Sequence, residues 1–378
     1  MKNKKNILLN PGPCNTSKRV KNAQIVPDIC PREEKFTKVI KKVRRDLLKV
    51  LNTDKNMYST ILFGGSGTAA VESVISSVII KNEKLLVLVN GSYGERIFKI
   101  AKTHMKLVDK ISFKLTKPIN FQDVEKYLQL NKDISYIAMV HHETTTGILN
   151  SIDKFSKISQ KYNLTSIIDS ISSFAGIPID FKKTPIDYLI STSNKCIQGM
   201  AGIAFVICKE SKIKILNNKS NFSYYLNLYN QYEYLERKGE MQFTPPVQTI
   251  YALKEAIQEY LEEGIKQRYD RYTLNWETLR KGLKKLGFKF LLNKKDESHI
   301  LLSVLKPNNK NFSYNILHDL LFEQGITIYP GKLAIKNTFR IANMGIIDKN
   351  DIIAFISSLK VVLKKMKIKK IYYDRFLQ

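Results

Sequence analysis

The 378-residue sequence has little that could staple, clip or anchor it. Its four cysteines, Cys14, Cys30, Cys196 and Cys208, are scattered without a C-x-x-C pair, which excludes a zinc knuckle and a disulfide framework. Of five histidines only His141 and His142 are adjacent. Neighbours on a strand point to opposite faces, so no metal site is expected. No apolar run approaches the roughly 18 residues that a membrane span needs. The start, Met1 to Leu9, is basic and then apolar for only three residues, too few for a signal-peptide core. A soluble protein in the cytoplasm, with no membrane partner, is the expectation.

Acidic residues are also scarce: 34 against 62 lysines and arginines, for a formal charge of +28. Such an excess would attract nucleic acid if it were gathered on one face. It is instead spread over nearly every predicted helix, in pairs such as Lys41-Lys42, Lys182-Lys183 and Lys284-Lys285, alternating with apolar residues. That is the pattern of solvated helix faces, so no nucleic-acid partner is expected, although anionic substrates gain a modest attraction. The densest run, Lys364 to Lys370, lies near the C-terminus. With 43% apolar residues the chain can bury a large core, and its length suits a large domain with a smaller partner.

Short β-branched runs recur through the first two-thirds: Ser59–Phe63, Lys84–Val89, Tyr136–Val140, Thr165–Ile168, Tyr188–Thr192 and Ile203–Ile207. Apolar on consecutive positions, they read as strands buried on both faces. Helical patterns lie between them, including Ala69 to Ile80, Glu95 to Thr103 and Ile152 to Tyr162. The alternation predicts an α/β fold with a mainly parallel sheet flanked by helices. After Pro245-Pro246, helices are predicted from Val247 to about Gly264 and from Lys266 to about Leu286, with Gly287 as a C-cap. Phe288–Leu292, His299–Val304 and Thr338–Ala342 then alternate with two helices, as a smaller α+β unit.

Ligands in such folds gather at the carboxyl ends of the strands. After Phe63 comes Gly64-Gly-Ser-Gly-Thr68 and then a helix, a turn that can aim backbone N–H groups and the Ser66 and Thr68 hydroxyls at an anion. No Gly-Lys-Ser/Thr follows, which disfavours a nucleoside triphosphate. Asp169 ends one strand, and Ser193-Asn194-Lys195 follows another. Singly, each has an ordinary structural explanation as a cap or turn residue. Together, an anion cradle, an acid and a lysine on separate strand ends are what pyridoxal 5'-phosphate chemistry requires.

At these residues the sequence resembles the 2-aminoethylphosphonate–pyruvate transaminases, class V members of the fold-type I pyridoxal phosphate enzymes. The motifs are Leu9-Asn-Pro-Gly-Pro13, Gly65-Ser-Gly-Thr68, Asn90-Gly-Ser-Tyr-Gly-Glu-Arg96 and His141-His-Glu-Thr-Thr-Thr-Gly-Ile-Leu-Asn150. Asp169-Ser-Ile-Ser-Ser-Phe174, Ser193-Asn-Lys-Cys-Ile-Gln-Gly199, Phe243-Thr-Pro-Pro246, Tyr329-Pro-Gly-Lys332 and Phe339-Arg-Ile341 continue it, so that it spans about residues 7 to 356. The resemblance implies a large cofactor domain over 16–255, built on a mainly parallel seven-stranded sheet flanked by helices, and a small α+β domain formed by 1–15 with 256–378. It implies Lys195 as the Schiff-base lysine and Asp169 as partner of the pyridine nitrogen. Ser66, Gly67, Thr68 and Asn194 are implied cofactor-binding residues, with Tyr93 stacked on the ring and Thr145 at or near the ring oxygen. Thr244 would reach the cofactor phosphate of a neighbouring subunit, in a homodimer, and Arg340 would grip the substrate anion. The implied reaction converts 2-aminoethylphosphonate and pyruvate to phosphonoacetaldehyde and L-alanine by a ping-pong route. The loop Pro13-Cys-Asn-Thr16 is a further candidate for the phosphonate. Another class V aminotransferase, of the alanine–glyoxylate or serine–pyruvate type, would share Lys195, Asp169 and Arg340. A cysteine desulfurase is disfavoured, because no cysteine follows Cys208 to serve as its nucleophile.

Overall fold

The computed structural model describes residues 6–79, 82–105, 107–217, 223–331 and 337–373. A seven-stranded sheet runs in the order Tyr58–Gly64, Ile203–Lys209, Tyr188–Thr192, Thr165–Asp169, Ile134–Val140, Lys84–Val89, Val108–Ser112. All neighbouring pairs are parallel except those made by Ile203–Lys209, which is antiparallel to both its neighbours. Leu85–Val89 and Tyr188–Thr192 are buried throughout, as expected of strands covered by helices on both faces. The consecutive apolar runs therefore mark covered strands, the edge strand Tyr58–Gly64 included.

The helices form where amphipathic spacing meets a cap. Ile152–Lys161 starts with Ser151 accepting from the Lys154 N–H, and Lys349–Lys365 starts with a reciprocal capping box between Asp348 and Asp351. Gly67–Val78 and Ser92–His104 occupy the places expected of Ala69–Ile80 and Glu95–Thr103, with Ile80 outside the described residues. The lysine run ends the last helix and continues past it, where positive charge faces the carbonyl end of the helix dipole.

Two sequence expectations change. Phe288–Leu292 is not a strand but one isolated bridge, Phe290 to Val304. Gly287 before it turns at φ +94°, and the Lys289 N–H is taken by the Tyr373 hydroxyl at 3.1 Å instead of a neighbouring strand. His299 likewise stands at φ +64°, so its strand begins at Leu301.

Among the described residues, the two largest of four apolar clusters support the two ends of the chain's fold. One, from Phe36 to Tyr260, surrounds the large sheet; the other joins Ile7 and Leu9 to residues between Trp276 and Ile371. In the second, Leu301–Leu305 and Tyr329–Pro330 flank Thr338–Ala342 in a three-stranded antiparallel sheet. Ile7–Leu8 pairs in parallel with Ile326–Thr327, which carries the following Pro11-Gly12 turn from the smaller cluster to Lys195, just past the end of Tyr188–Thr192. Among the described residues no helix is long and apolar enough to cross a membrane.

Candidate active site

The Thr165–Asp169 and Tyr188–Thr192 strands are parallel neighbours, with Asp169 opposite Ile190. Their shared direction brings Asp169, Asn194 and Lys195 to one end of the sheet. Asp169 is 5% exposed, and burial pushes its carboxyl up to about 7 although Oδ1 accepts the Ile171 N–H at 2.9 Å. The negative charge of Glu143 acts in the same direction, while Arg96 and Lys195 oppose it. A cation placed against this carboxyl would favour its charged form.

Burial lowers the pKa of Lys195, which raises the share of neutral, nucleophilic amine. Its Nζ donates to the Pro11 carbonyl. Gly12, at φ +108°, lies so close that an added Cβ would fall on the lysine side chain, 2.7 Å from Cε. The loop Pro13–Thr16 closes this flank: the Cys14 N–H donates to the Asn194 carbonyl at 3.3 Å, and its thiol to the Lys195 carbonyl at 3.0 Å. Burial holds that thiol up at about 12, so it stays protonated beside the amine. The Asn15 amide turns back to the Leu8 N–H and the Asn6 carbonyl, a structural role in place of the expected anion contact.

At the end of Tyr58–Gly64, the Gly65 N–H bonds to the Gly202 carbonyl at 2.8 Å, and Ser66 caps the helix in extended conformation without using its side chain. The first-turn N–H groups and the Ser66 and Thr68 hydroxyls thus form an anion cradle. A Cβ on Gly67 would stand 2.6 Å from Cδ1 of Ile171, two residues beyond Asp169. The absent side chain lets the cradle and the Asp169 segment pack together. An acid, a phosphate-type cradle, a low-pKa amine and a nearby tyrosine are a donor set that fits pyridoxal phosphate. Ser66, Gly67, Thr68, Asp169 and Lys195 would hold it.

Glu143, fully buried, organises the opposite wall. Its carboxylate accepts from the N–H groups of Tyr93 at 3.1 Å, Gly94 at 3.2 Å and Thr145 at 3.1 Å, and from the Thr145 hydroxyl at 2.5 Å. Burial raises its pKa, and these donors resist the rise. Thr145 also accepts the Ser92 N–H at 3.0 Å, so its hydroxyl is engaged in joining the loop to the Ser92–His104 helix. The neighbouring Thr144 hydroxyl has no protein partner among the described residues, while its carbonyl accepts Nη1 of Arg340 at 2.9 Å.

Arg340 is 1% exposed and stands over the Tyr329 ring, 4.9 Å from Cζ to centroid. Its Nε donates to the Pro330 carbonyl at 3.0 Å. Burial lowers its pKa, and no carboxylate lies within ion-pair distance of it among the described residues. A buried cation without a counter-ion is an uncompensated cost that an anionic ligand would offset. Tyr93 lies close to both Arg340 and Lys195. Lys332, in the last part of the Tyr329 motif, lies outside the described residues.

The structure therefore brings together Asp169, Asn194, Lys195, the Ser66–Thr68 cradle, Tyr93, Thr145 and Arg340. Thr244 is exposed and follows Phe243, whose ring packs against those of Tyr224 and Tyr225. Glu143, Thr144, Ile171 and Arg96 escaped assignment, though each lies inside a motif already singled out. A charged residue between an apolar strand end and a glycine turn was the available signal for Glu143.

A family model described as aminotransferase class-V matches residues 19–349. Curated 2-aminoethylphosphonate–pyruvate transaminases from Bacillus cereus (strain ZK / E33L) and Bacillus thuringiensis (strain Al Hakam) are each 40% identical over 357 residues, covering 93% of this chain and 96% of the relative. Among solved structures, the ureidoglycine–glyoxylate aminotransferase from Bacillus subtilis superposes with a TM-score of 0.89 at 22% identity, over 98% of this chain and 96% of that one. The alanine–glyoxylate aminotransferase from Nostoc sp. gives 0.88 at 23%, over 96% of each. With its motifs matched from end to end and its strand ends arranged as described, this chain belongs to the class V aminotransferases, pyridoxal phosphate-dependent enzymes of fold type I.

Proposed function

We propose that this protein transfers the amino group of 2-aminoethylphosphonate to pyruvate, giving phosphonoacetaldehyde and L-alanine by a ping-pong route. The observation that carries the substrate assignment is the 40% identity, over 93% of the chain, to transaminases of that name. When bound, pyridoxal phosphate supplies an aldehyde that takes up the amine and a ring that withdraws electrons from the carbon losing its proton. Lys195 holds the cofactor covalently and moves that proton with its Nζ. The Asp169 carboxylate would accept the hydrogen bond of the ring nitrogen and keep it protonated. Tyr93 and Ile171 would enclose the ring. The Thr144 hydroxyl would be available to the ring oxygen, with Thr145 holding the loop in place. Arg340 binds the phosphonate of one substrate and the carboxylate of the other, since its planar fork suits both.

The proposal extends to the assembly. A second copy would cover the aromatic surface of Tyr224, Tyr225 and Phe243 and bring Thr244 to its partner's cradle. The large domain is taken as residues 16–255 and the small one as 1–15 with 256–378, a division that the two largest apolar clusters follow except at Ile257 and Tyr260, which pack with the large sheet. The cytoplasm is the proposed compartment.

A panel of amino donors tests the substrate assignment. With each donor added to the cofactor-loaded enzyme, the shift in cofactor absorption should be fastest with 2-aminoethylphosphonate. A faster shift with serine would transfer the assignment to the other class V type, whereas alanine, as the reaction's own product, shifts the cofactor in either case.

A further inference from the structure

A cation stands at the anion cradle with no acidic partner. Arg96 lies in the first turns of Ser92–His104, and its Nη1 donates to Oγ1 of Thr68 at 3.3 Å. Its guanidinium carbon sits 4.9 Å from the centroid of the Tyr93 ring. The preceding residue, Glu95, is engaged by Lys110 at 2.9 Å and leaves Arg96 unneutralised. Among the described residues no carboxylate lies within ion-pair distance of Arg96, and its other N–H groups make no hydrogen bond to protein. The side chain nevertheless has a defined place, with one face on an aromatic ring and one edge on a cradle hydroxyl. Stacking on an aromatic face keeps a guanidinium ordered without consuming its in-plane donors. A fork ordered in this way, one hydroxyl away from backbone N–H groups that converge on an anion, is arranged for a phosphate.

We propose that Arg96 is a binding residue for the cofactor's phosphate, held in place by Tyr93 and Thr68. The proposal rests on the pyridoxal phosphate reading of the site. It gives Tyr93 two tasks, covering the cofactor ring with one part of its surface and seating the phosphate-binding cation with another. Arg340 remains the anchor for the substrate anion, so the two arginines divide two chemically similar anions between them.

The test compares two aldehydes that differ only in the phosphate. Apoenzyme is titrated by equilibrium dialysis with pyridoxal phosphate and with pyridoxal, for the wild type, Arg96→Ala and Arg96→Lys. Arg96→Ala should weaken pyridoxal phosphate by about 10–100-fold, the worth of one or two charge-assisted bonds, and leave pyridoxal within about twofold. Arg96→Lys, which keeps the charge but not the fork, should recover part of the loss. Inorganic phosphate should compete with pyridoxal phosphate less well in Arg96→Ala than in the wild type. Unchanged affinity for pyridoxal phosphate, or equal weakening of both aldehydes, would overturn the assignment. So would a raised KM for 2-aminoethylphosphonate with the preference for pyridoxal phosphate intact, because the arginine would then serve the substrate. A wild-type apoenzyme that bound neither aldehyde would instead remove the reading of the site on which the proposal stands.

Discussion

The two walls of the site are fixed by different means. Asp169 and Lys195 rise from adjacent parallel strands of one buried sheet, so their separation is set by backbone pairing that no surface motion disturbs. Arg340 comes from a different sheet with its own apolar cluster, and it is tied to the Glu143–Thr145 loop of the large domain by its bond to the Thr144 carbonyl. The first wall suits bond-making, which tolerates little misplacement. The second suits anion capture, where small shifts of the smaller unit can accommodate a tetrahedral phosphonate and then a planar carboxylate. Damage to the first wall should therefore appear in kcat, and damage to the second in KM.

The sharpest way to break that division is at the amine. Lys195→Ala should lose turnover by at least about 10²–10⁴-fold, the usual worth of a positioned proton carrier, and its covalent anchoring of the cofactor with it. Sustained multiple turnover in that variant would remove Lys195 from the chemistry. Arg340→Ala should raise KM for both 2-aminoethylphosphonate and pyruvate by about 10–100-fold. Steady-state kinetics with each substrate varied in turn would decide it. A fall in kcat at unchanged KM would mean that the two walls are not separable.

A smaller effect probes how deeply the first wall is buried. Burial depresses His141 to about 4 and His142 to about 3, from 6.5. A histidine kept neutral in the fold adds stability that is complete above its unfolded value and is lost as pH falls towards the folded one. Asp169 and Glu143, raised by burial, act with the opposite sign, favouring the fold at low pH. They are present in both proteins and cancel when wild type and His142→Asn are compared. Between pH 6.5 and 4 the variant should lose stability less steeply, by up to about 1.4 kcal/mol per pH unit. Denaturant midpoints across that range measure it, and parallel slopes would show that His142 is not the buried base it resembles.

The first wall was also the more legible in sequence. Apolar runs such as Lys84–Val89 and Tyr188–Thr192 reproduce the strands residue for residue, and the reactive types stand directly after them. Val108–Ser112 was missed because it is an edge strand: its charged and polar residues face water, so it lacks the continuous apolar signature. Phe288–Leu292 had the composition of a strand, but strand pairing is decided by a partner that composition does not contain. Glu143 and Arg96 were hidden for a similar reason. Their meaning comes from contacts with Tyr93, Gly94 and Thr68, residues that local spacing cannot relate to them. Nor could a run of three threonines reveal that the hydroxyl of Thr145 is engaged while that of Thr144 is open.

The seating of the Pro11 carbonyl on the amine of Lys195 has a consequence for biosynthesis. The short strand that delivers this turn, Ile7–Leu8, finds its pairing partner only at Ile326–Thr327. During translation, at roughly 5–20 residues per second, the lysine emerges from the ribosome many seconds before that partner does. Until then Ile7–Leu8 has no strand to pair with, and the nascent large domain carries its reactive amine without a lid. The enzyme's finished reactivity thus waits for the synthesis of Ile326–Thr327.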